Sequence, residues 1–347
     1  MIYFNNDYSE GCVSEILNAL AESNMAQTPG YGVDSYCLRA TEKIKKLCGR
    51  HDVFVHYLVG GTQTNLTVIA AALRPYQAVI AAETGHVSVH ETGAIEATGH
   101  KVIELPGVDG KISAEQIKNV VLQQSCSMDA EHMVQPKLVY ISSPTELGTL
   151  YSRDELVSIG DVCKELGLYL FVDGARMGYG ITAQGNDVSL KDFADISDVF
   201  YIGGTKVGAL FGEALVIRNP VLAGDFRYMI KQRGGMLAKG RLLGLQFDTL
   251  FTDDLYFKIA ERANYFAQMI RQKISALGYS FLVENTTNQL FPIFPNAVLK
   301  ELEKNFFFSD MGAVGEKHRA VRICTSWATT QENVDMLLDA LQSITVS

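Results

Sequence analysis

The sequence is short of positive charge. Its 347 residues carry 30 Lys and Arg against 39 Asp and Glu, for a net charge of −9 and a pI near 5.3. Nucleic acid and anionic membrane both require Lys/Arg-rich surfaces, so neither is expected as the main partner. A local basic pocket for a small anion is compatible with this balance. Cysteines are few and scattered: Cys12, Cys37, Cys48, Cys126, Cys163 and Cys324, with no Cys-x-x-Cys pair. Disulfide frameworks belong to short secreted chains, so reduced and mostly buried thiols in a cytoplasmic protein are expected. The start, Met1-Ile2-Tyr3-Phe4-Asn5-Asn6-Asp7, lacks a basic region followed by an apolar run. No apolar stretch approaches the roughly 20 residues that span a bilayer. Repeats, linkers and low-complexity segments are missing as well. The hydrophobic fraction of 47% excludes disorder, which needs low hydrophobicity with high net charge. The length exceeds a typical domain of about 100–200 residues, so a large domain with a smaller one is the natural arrangement.

What is there is an alternation of short apolar runs with helical patterns. Strands are expected at 53–58, 78–81, 101–105, 137–141, 168–172, 198–202 and 214–217. Helices are expected from Thr62 to Leu73 and from Arg153 to Leu166, the second ended by Gly167. Continuous apolar strands with helical spacers mark a sheet buried on both faces, hence an α/β fold with a mainly parallel seven-stranded sheet over residues 1–250. Beyond that the pattern changes. A long helix (255–277) precedes short strands at 279–283, 289–294 and 320–325, with helices near 297–303 and 331–344. Residues 251–347 therefore read as a smaller α+β domain.

Ligands of such sheets collect at the carboxyl ends of the strands. Gly61-Thr62, Ser143-Pro144, Asp173 and Lys206 each follow an expected strand. An Asp ending a strand can simply cap the next helix, and Lys206, in Gly203-Gly204-Thr205-Lys206-Val207-Gly208, can be a solvated loop lysine. Together they say more. A lysine that forms a Schiff base and an aspartate that keeps a ring nitrogen protonated are the pair that pyridoxal 5'-phosphate (PLP) requires. Gly60-Gly61-Thr62-Gln63-Thr64-Asn65 joins a strand to a helix, where N–H groups and the helix dipole favour an anion. It is neither a Walker loop nor a G-x-G-x-x-G fingerprint. His86, in Glu83-Thr84-Gly85-His86, can stack on a cofactor or be an ordinary polar residue. Arg322 interrupts an apolar strand pattern, as a surface residue of an edge strand or as a clamp on a substrate carboxylate. Arg176 competes for that role. No metal site is read from the sequence.

Taken together, Gly61-Thr62-Gln63-Thr64-Asn65, the His86 loop, Asp173-Gly174-Ala175-Arg176 and Lys206 resemble the threonine aldolase group of fold-type-I PLP enzymes. The resemblance covers nearly the whole chain, including Asn6-Asp7, the Tyr31-Gly32-Val33-Asp34 loop and the Arg322 strand. It implies the aspartate-aminotransferase fold and aldol cleavage of an L-3-hydroxy-α-amino acid to glycine and an aldehyde. It also implies roles. Lys206 holds the cofactor, Asp173 pairs with its ring nitrogen, and His86 stacks on the ring. Gly61 and Thr62 bind phosphate, and Arg176 and Arg322 bind the substrate carboxylate. Lys231 reaches the phosphate of a neighbouring subunit, in a homodimer or homotetramer. Two positions depart from the pattern. Asn6 stands where many members have a carboxylate-binding Ser. Glu146 stands where many have His, in a stretch that resembles low-specificity and phenylserine aldolases. The base that takes the β-hydroxyl proton is His86, Glu146 or a water they hold. A β-eliminating lyase and a catalytically silent PLP-binding protein are the alternatives.

Overall fold

The computed structural model describes residues 1–346. Seven strands form the main sheet: β1 (Phe54–Leu58), β2 (Gln77–Ala82), β3 (Val102–Leu105), β4 (Gln135–Ser142), β5 (Tyr169–Asp173), β6 (Val199–Gly203) and β7 (Glu213–Ile217). Their order is β1-β7-β6-β5-β4-β2-β3. The four pairings from β6 to β3 are parallel, and β7 is antiparallel to both β1 and β6. The sheet is thus α/β and mainly parallel, as the apolar runs require. Side chains alternate between two buried faces. Ile80, Val139, Val172 and Phe200 enter one core, while Val79, Leu138, Phe171 and Tyr201 enter the other. The period of two along a strand imposes this alternation.

Because β1 is antiparallel to β7 and β7 to β6, β1 runs with the parallel strands. The carboxyl ends of β1, β2, β4, β5 and β6 therefore share one edge. The reversed strand β7 delivers its first residue, Glu213, to that edge, opposite Leu58 and Gly203. The helix Arg153–Leu166 begins with a reciprocal Ser152/Glu155 capping box and ends at Gly167, whose φ of 65° suits glycine.

The C-terminal part has its own apolar core, which includes Phe266, Ile270, Leu290, Phe294, Val321, Val334 and Leu337. The helix Leu255–Ala276 packs along it. Two expectations fail here for one reason. The expected strand at 279–283 is reduced to an isolated bridge, Phe281 with Pro292. The expected strand at 289–294 splits into Gln289–Leu290 and Ile293–Pro295. Pro292 sits at both breaks and has no N–H to continue a ladder. The strand Ser309–Val314, which pairs with His318–Cys324, was not foreseen. Its Gly312 and exposed polar residues hide it from an apolar pattern. The first residues belong with this C-terminal core. Ile2–Tyr3 pairs in parallel with Phe306–Phe307, and Phe4 is buried among its aromatics.

Candidate active site

Asp173 ends β5 and is buried. It points to the face that carries Tyr140 and Tyr201, since Tyr140 lies opposite Phe171 in register and Ser142 opposite Asp173. Three elements satisfy its oxygens. Oδ2 accepts from the Tyr140 hydroxyl at 2.5 Å and from Asn65 Nδ2 at 3.1 Å, and Oδ1 accepts from the Ala175 N–H at 2.9 Å. Burial works against the charge, but the nearby His86 and hydrogen bonds from Tyr140, Tyr201 and Ala175 outweigh it. The carboxyl is held below its usual range. Burial and the Asp173 charge keep both tyrosines well above theirs, so they remain donors. The result is a buried carboxylate whose surroundings favour the ionised form.

Lys206 follows β6 in a glycine-rich turn. Burial and the charge of Arg176 push its amine below the usual lysine range; Asp7, Asp173 and Glu213 pull the other way without reversing it. A neutral amine is the form that attacks a carbonyl. Glu213 braces the turn: its Oε2 accepts from the Gly204 N–H at 3.1 Å and its Oε1 from the Thr205 hydroxyl at 2.9 Å. Burial pushes this carboxyl up to about 8 against those bonds.

His86 begins a short turn of helix after β2. Its Nδ1 lies 2.8 Å from Oε1 of the fully buried Glu91, which leaves Nε2 as the uncommitted ring nitrogen. Asn65 Nδ2 donates to the same Glu91 oxygen at 2.7 Å and so ties Glu91 to Asp173. The backbone N–H of His86 donates to Glu146 Oε1 at 2.8 Å, and Ser142 Oγ donates to it at 2.7 Å. Burial raises the Glu146 carboxyl, with the Asp173 charge in the same direction; the Ser142 bond opposes without cancelling.

Arg176 lies along Asp7 in a two-pronged pair, Nε to Oδ2 at 2.7 Å and Nη2 to Oδ1 at 2.9 Å. Arg322 donates from Nη2 to the Asn5 carbonyl at 3.0 Å, and its Nε is buried with no partner among the described residues. Such a donor is ready for an anion.

Lys206, His86, Glu146, Arg176 and Arg322 line one cavity of about 810 Å³. Asp173 lies buried beside it. Gly61 and Thr62 open the helix Gly61–Ala72, which no side chain caps, and a Cβ at Gly60 would meet nothing within 4 Å. Two expected site residues lie elsewhere. Asn6 is outside the cavity lining, and its Oδ1 accepts from the Tyr8 N–H at 2.9 Å and from Ser9 Oγ at 3.0 Å. Lys231 is exposed on the helix Phe226–Gln232, with its ammonium 5.0 Å from the centre of the Tyr31 ring. Asp7, Glu91, Tyr140, Tyr201 and Glu213 were missed by sequence reasoning. Glu213 carried a signal, a carboxylate at the start of an apolar strand; the tyrosines looked like ordinary core.

The beta-eliminating lyase family matches residues 7–297. This chain belongs to that family. Among its relatives, the low specificity L-threonine aldolase of Pseudomonas aeruginosa is 31% identical, over 95% of this chain and 94% of that one. The fold of this chain matches a structure of Leishmania major threonine aldolase with a TM-score of 0.97 and 44% identity, covering 99% of this chain and 100% of that one. Aspartate aminotransferase from Thermus thermophilus shares the fold alone, at a TM-score of 0.73 and 15% identity over 99% and 91% of the two chains. The family depends on PLP. The residues fit that group. An ionised carboxylate suits a protonated ring nitrogen, a depressed amine suits the carbonyl, and an uncapped helix start beside open space suits the phosphate.

Proposed function

We propose that this PLP-dependent lyase cleaves L-threonine, L-allo-threonine and related L-3-hydroxy-α-amino acids to glycine and an aldehyde. One observation carries the reading: a depressed lysine amine, two arginines and a raised carboxyl share a single cavity. The names of the relatives, threonine aldolases of 31% and 44% identity, support it.

Bound PLP supplies the electron sink for the pair left by the broken Cα–Cβ bond. Lys206 would hold it through its amine, Asp173 would keep its ring nitrogen protonated, and Gly61 and Thr62 would take its phosphate. His86, its ring held by Glu91, would lie against the cofactor. Arg176 and Arg322 hold the substrate carboxylate and so orient the bond to be broken. We assign the base to Glu146. One of its oxygens is committed to Ser142 and the His86 N–H, and the other is free to take the β-hydroxyl proton. A carboxyl raised by burial is a stronger base than a solvated one.

Lys231 is exposed and outside the cavity of its own chain, which supports a place in the site of a second copy, in a homodimer or homotetramer. The six cysteines are free, five of them buried, in keeping with a reducing cytoplasm. Among the described residues, no helix is long and apolar enough to cross a membrane. The chain divides near residue 250 into a large PLP-binding domain and a small domain, with residues 2–4 packed on the latter.

Incubating the holoenzyme with L-threonine tests the reading. Acetaldehyde and glycine are expected in equal amounts. Ammonia and a keto acid in their place would turn the assignment to elimination.

A further inference from the structure

The two arginines of the cavity come from distant parts of the chain, yet one short segment holds both. The carbonyl of Asn5 accepts from Arg322, a partner 317 residues away. It also accepts from Ser309 Oγ at 2.8 Å. Two residues on, the carboxylate of Asp7 takes the Nε–Nη2 edge of Arg176. The segment is itself pinned: the Phe4 carbonyl accepts from the Cys324 N–H at 2.7 Å. Asn288 Nδ2 donates to Asp7 Oδ2 at 3.0 Å and to the Thr325 carbonyl at 2.9 Å. The Asp7 side chain is fully buried. A guanidinium presents donors along more than one edge. With the Nε–Nη2 edge occupied, the Nη1–Nη2 edge is what Arg176 has left for a ligand.

We propose that Asp7 is a positioning residue for substrate recognition: it fixes the Arg176 guanidinium so that its remaining edge, together with Arg322, reads the α-carboxylate of the amino acid. The proposal rests on the aldolase reading. Asp7 touches neither substrate nor reacting atoms in this role; it acts through Arg176. Without this counter-ion the buried guanidinium would turn to another partner, such as the cavity carboxylate Glu146, and lose the orientation in which it meets the substrate. With Asp7 in place, the guanidinium is already paired and oriented before substrate arrives. The preference for a carboxylate over an amide then depends on geometry rather than on unpaired charge. Asp7 turns inward, while the neighbouring Asn6 closes a local turn with Tyr8 and Ser9.

The test compares a carboxylate ligand with its amide. Wild-type holoenzyme and the Asp7→Asn variant are titrated with glycine and with glycinamide, binding being followed by the visible absorbance of the cofactor. L-threonine cleavage is measured in parallel. Asp7→Asn keeps the shape and loses the charge. It is expected to weaken glycine about 10- to 100-fold, the range for a lost charge-assisted hydrogen bond, and to change glycinamide less than threefold. KM for threonine should rise by a similar factor, with kcat changed much less. In an Arg176→Gln background, Asp7→Asn should add nothing to the loss of glycine selectivity. If Asp7→Asn does not fold, Asp7→Glu keeps the charge but displaces it by one methylene, and the same loss of selectivity is expected. Equal weakening of glycine and glycinamide, or additive losses in the double variant, would overturn the proposal. A wild-type enzyme that cleaves no threonine would instead sink the aldolase reading, and the glycine titration would still judge Asp7.

Discussion

The floor and the wall of the cavity are built in different ways. The floor is Asp173 with its donors Tyr140, Asn65 and the Ala175 N–H, and all of these come from one sheet and the helix beside it. The wall is Arg176 and Arg322, and its acceptors Asn5 and Asp7 lie near the other end of the chain from Arg322. The floor follows from strand alternation and register, so it is in place once the sheet is. The wall exists only when three remote segments meet. On the roles proposed above, this difference separates two tasks: the sheet would carry cofactor chemistry, and the closure of the chain on itself would carry substrate selection.

Breaking the floor should cost most. Asp173→Asn is expected to lower kcat about 10²- to 10³-fold, as for loss of a preorganised charge, with KM for threonine nearly unchanged because the wall is intact. A KM rise equal to the kcat loss would show that floor and wall are not separable. Glu146→Gln lies between the two and should lower kcat about 100-fold, at the lower end for a lost general base. Its raised carboxyl fixes the sign of the pH dependence. As the proposed base, Glu146 would act in its ionised form, so wild-type activity should fall as pH drops through the raised value. A pH–rate profile should lose that limb in the variant.

Breaking the wall should act on KM instead. Arg322→Lys removes the planar fork while keeping the charge, and KM for threonine should rise about tenfold with the visible spectrum of the cofactor unchanged. A shifted spectrum would mean that Arg322 also serves the floor. Asn6→Ala should do least. Its oxygen serves a local turn, so KM should change less than threefold and stability by about 0.5–1 kcal/mol, readable as a small loss in urea midpoint.

The contrast also accounts for what was legible in the sequence. The seven strands, the Arg153–Leu166 helix with its Gly167 end, and the pairing of Asp173 with Lys206 were readable, because apolar periodicity and strand ends are local signals. Glu146 and His86 were readable as candidates, although only the structure shows that one backbone N–H joins them. Asp7 was not, for its partner Arg176 is 169 residues away and no local pattern marks it. Asn6 is drawn into the site only by the resemblance, since many members of the family have Ser at that position. Tyr140 and Tyr201 were hidden for the opposite reason, since an aromatic in an apolar strand looks like packing until register puts its hydroxyl beside a carboxylate.

The pairing of Ile2–Tyr3 with Phe306–Phe307 also bears on how the protein is made. A ribosome delivers Asn5 and Asp7 early, and Arg322 only near the end. At about 5–20 residues per second, these acceptors wait roughly 15–60 s for the strand that completes the wall. The floor needs nothing beyond Glu213. A nascent chain therefore contains every residue of the floor well before it contains Arg322, the last residue of the wall.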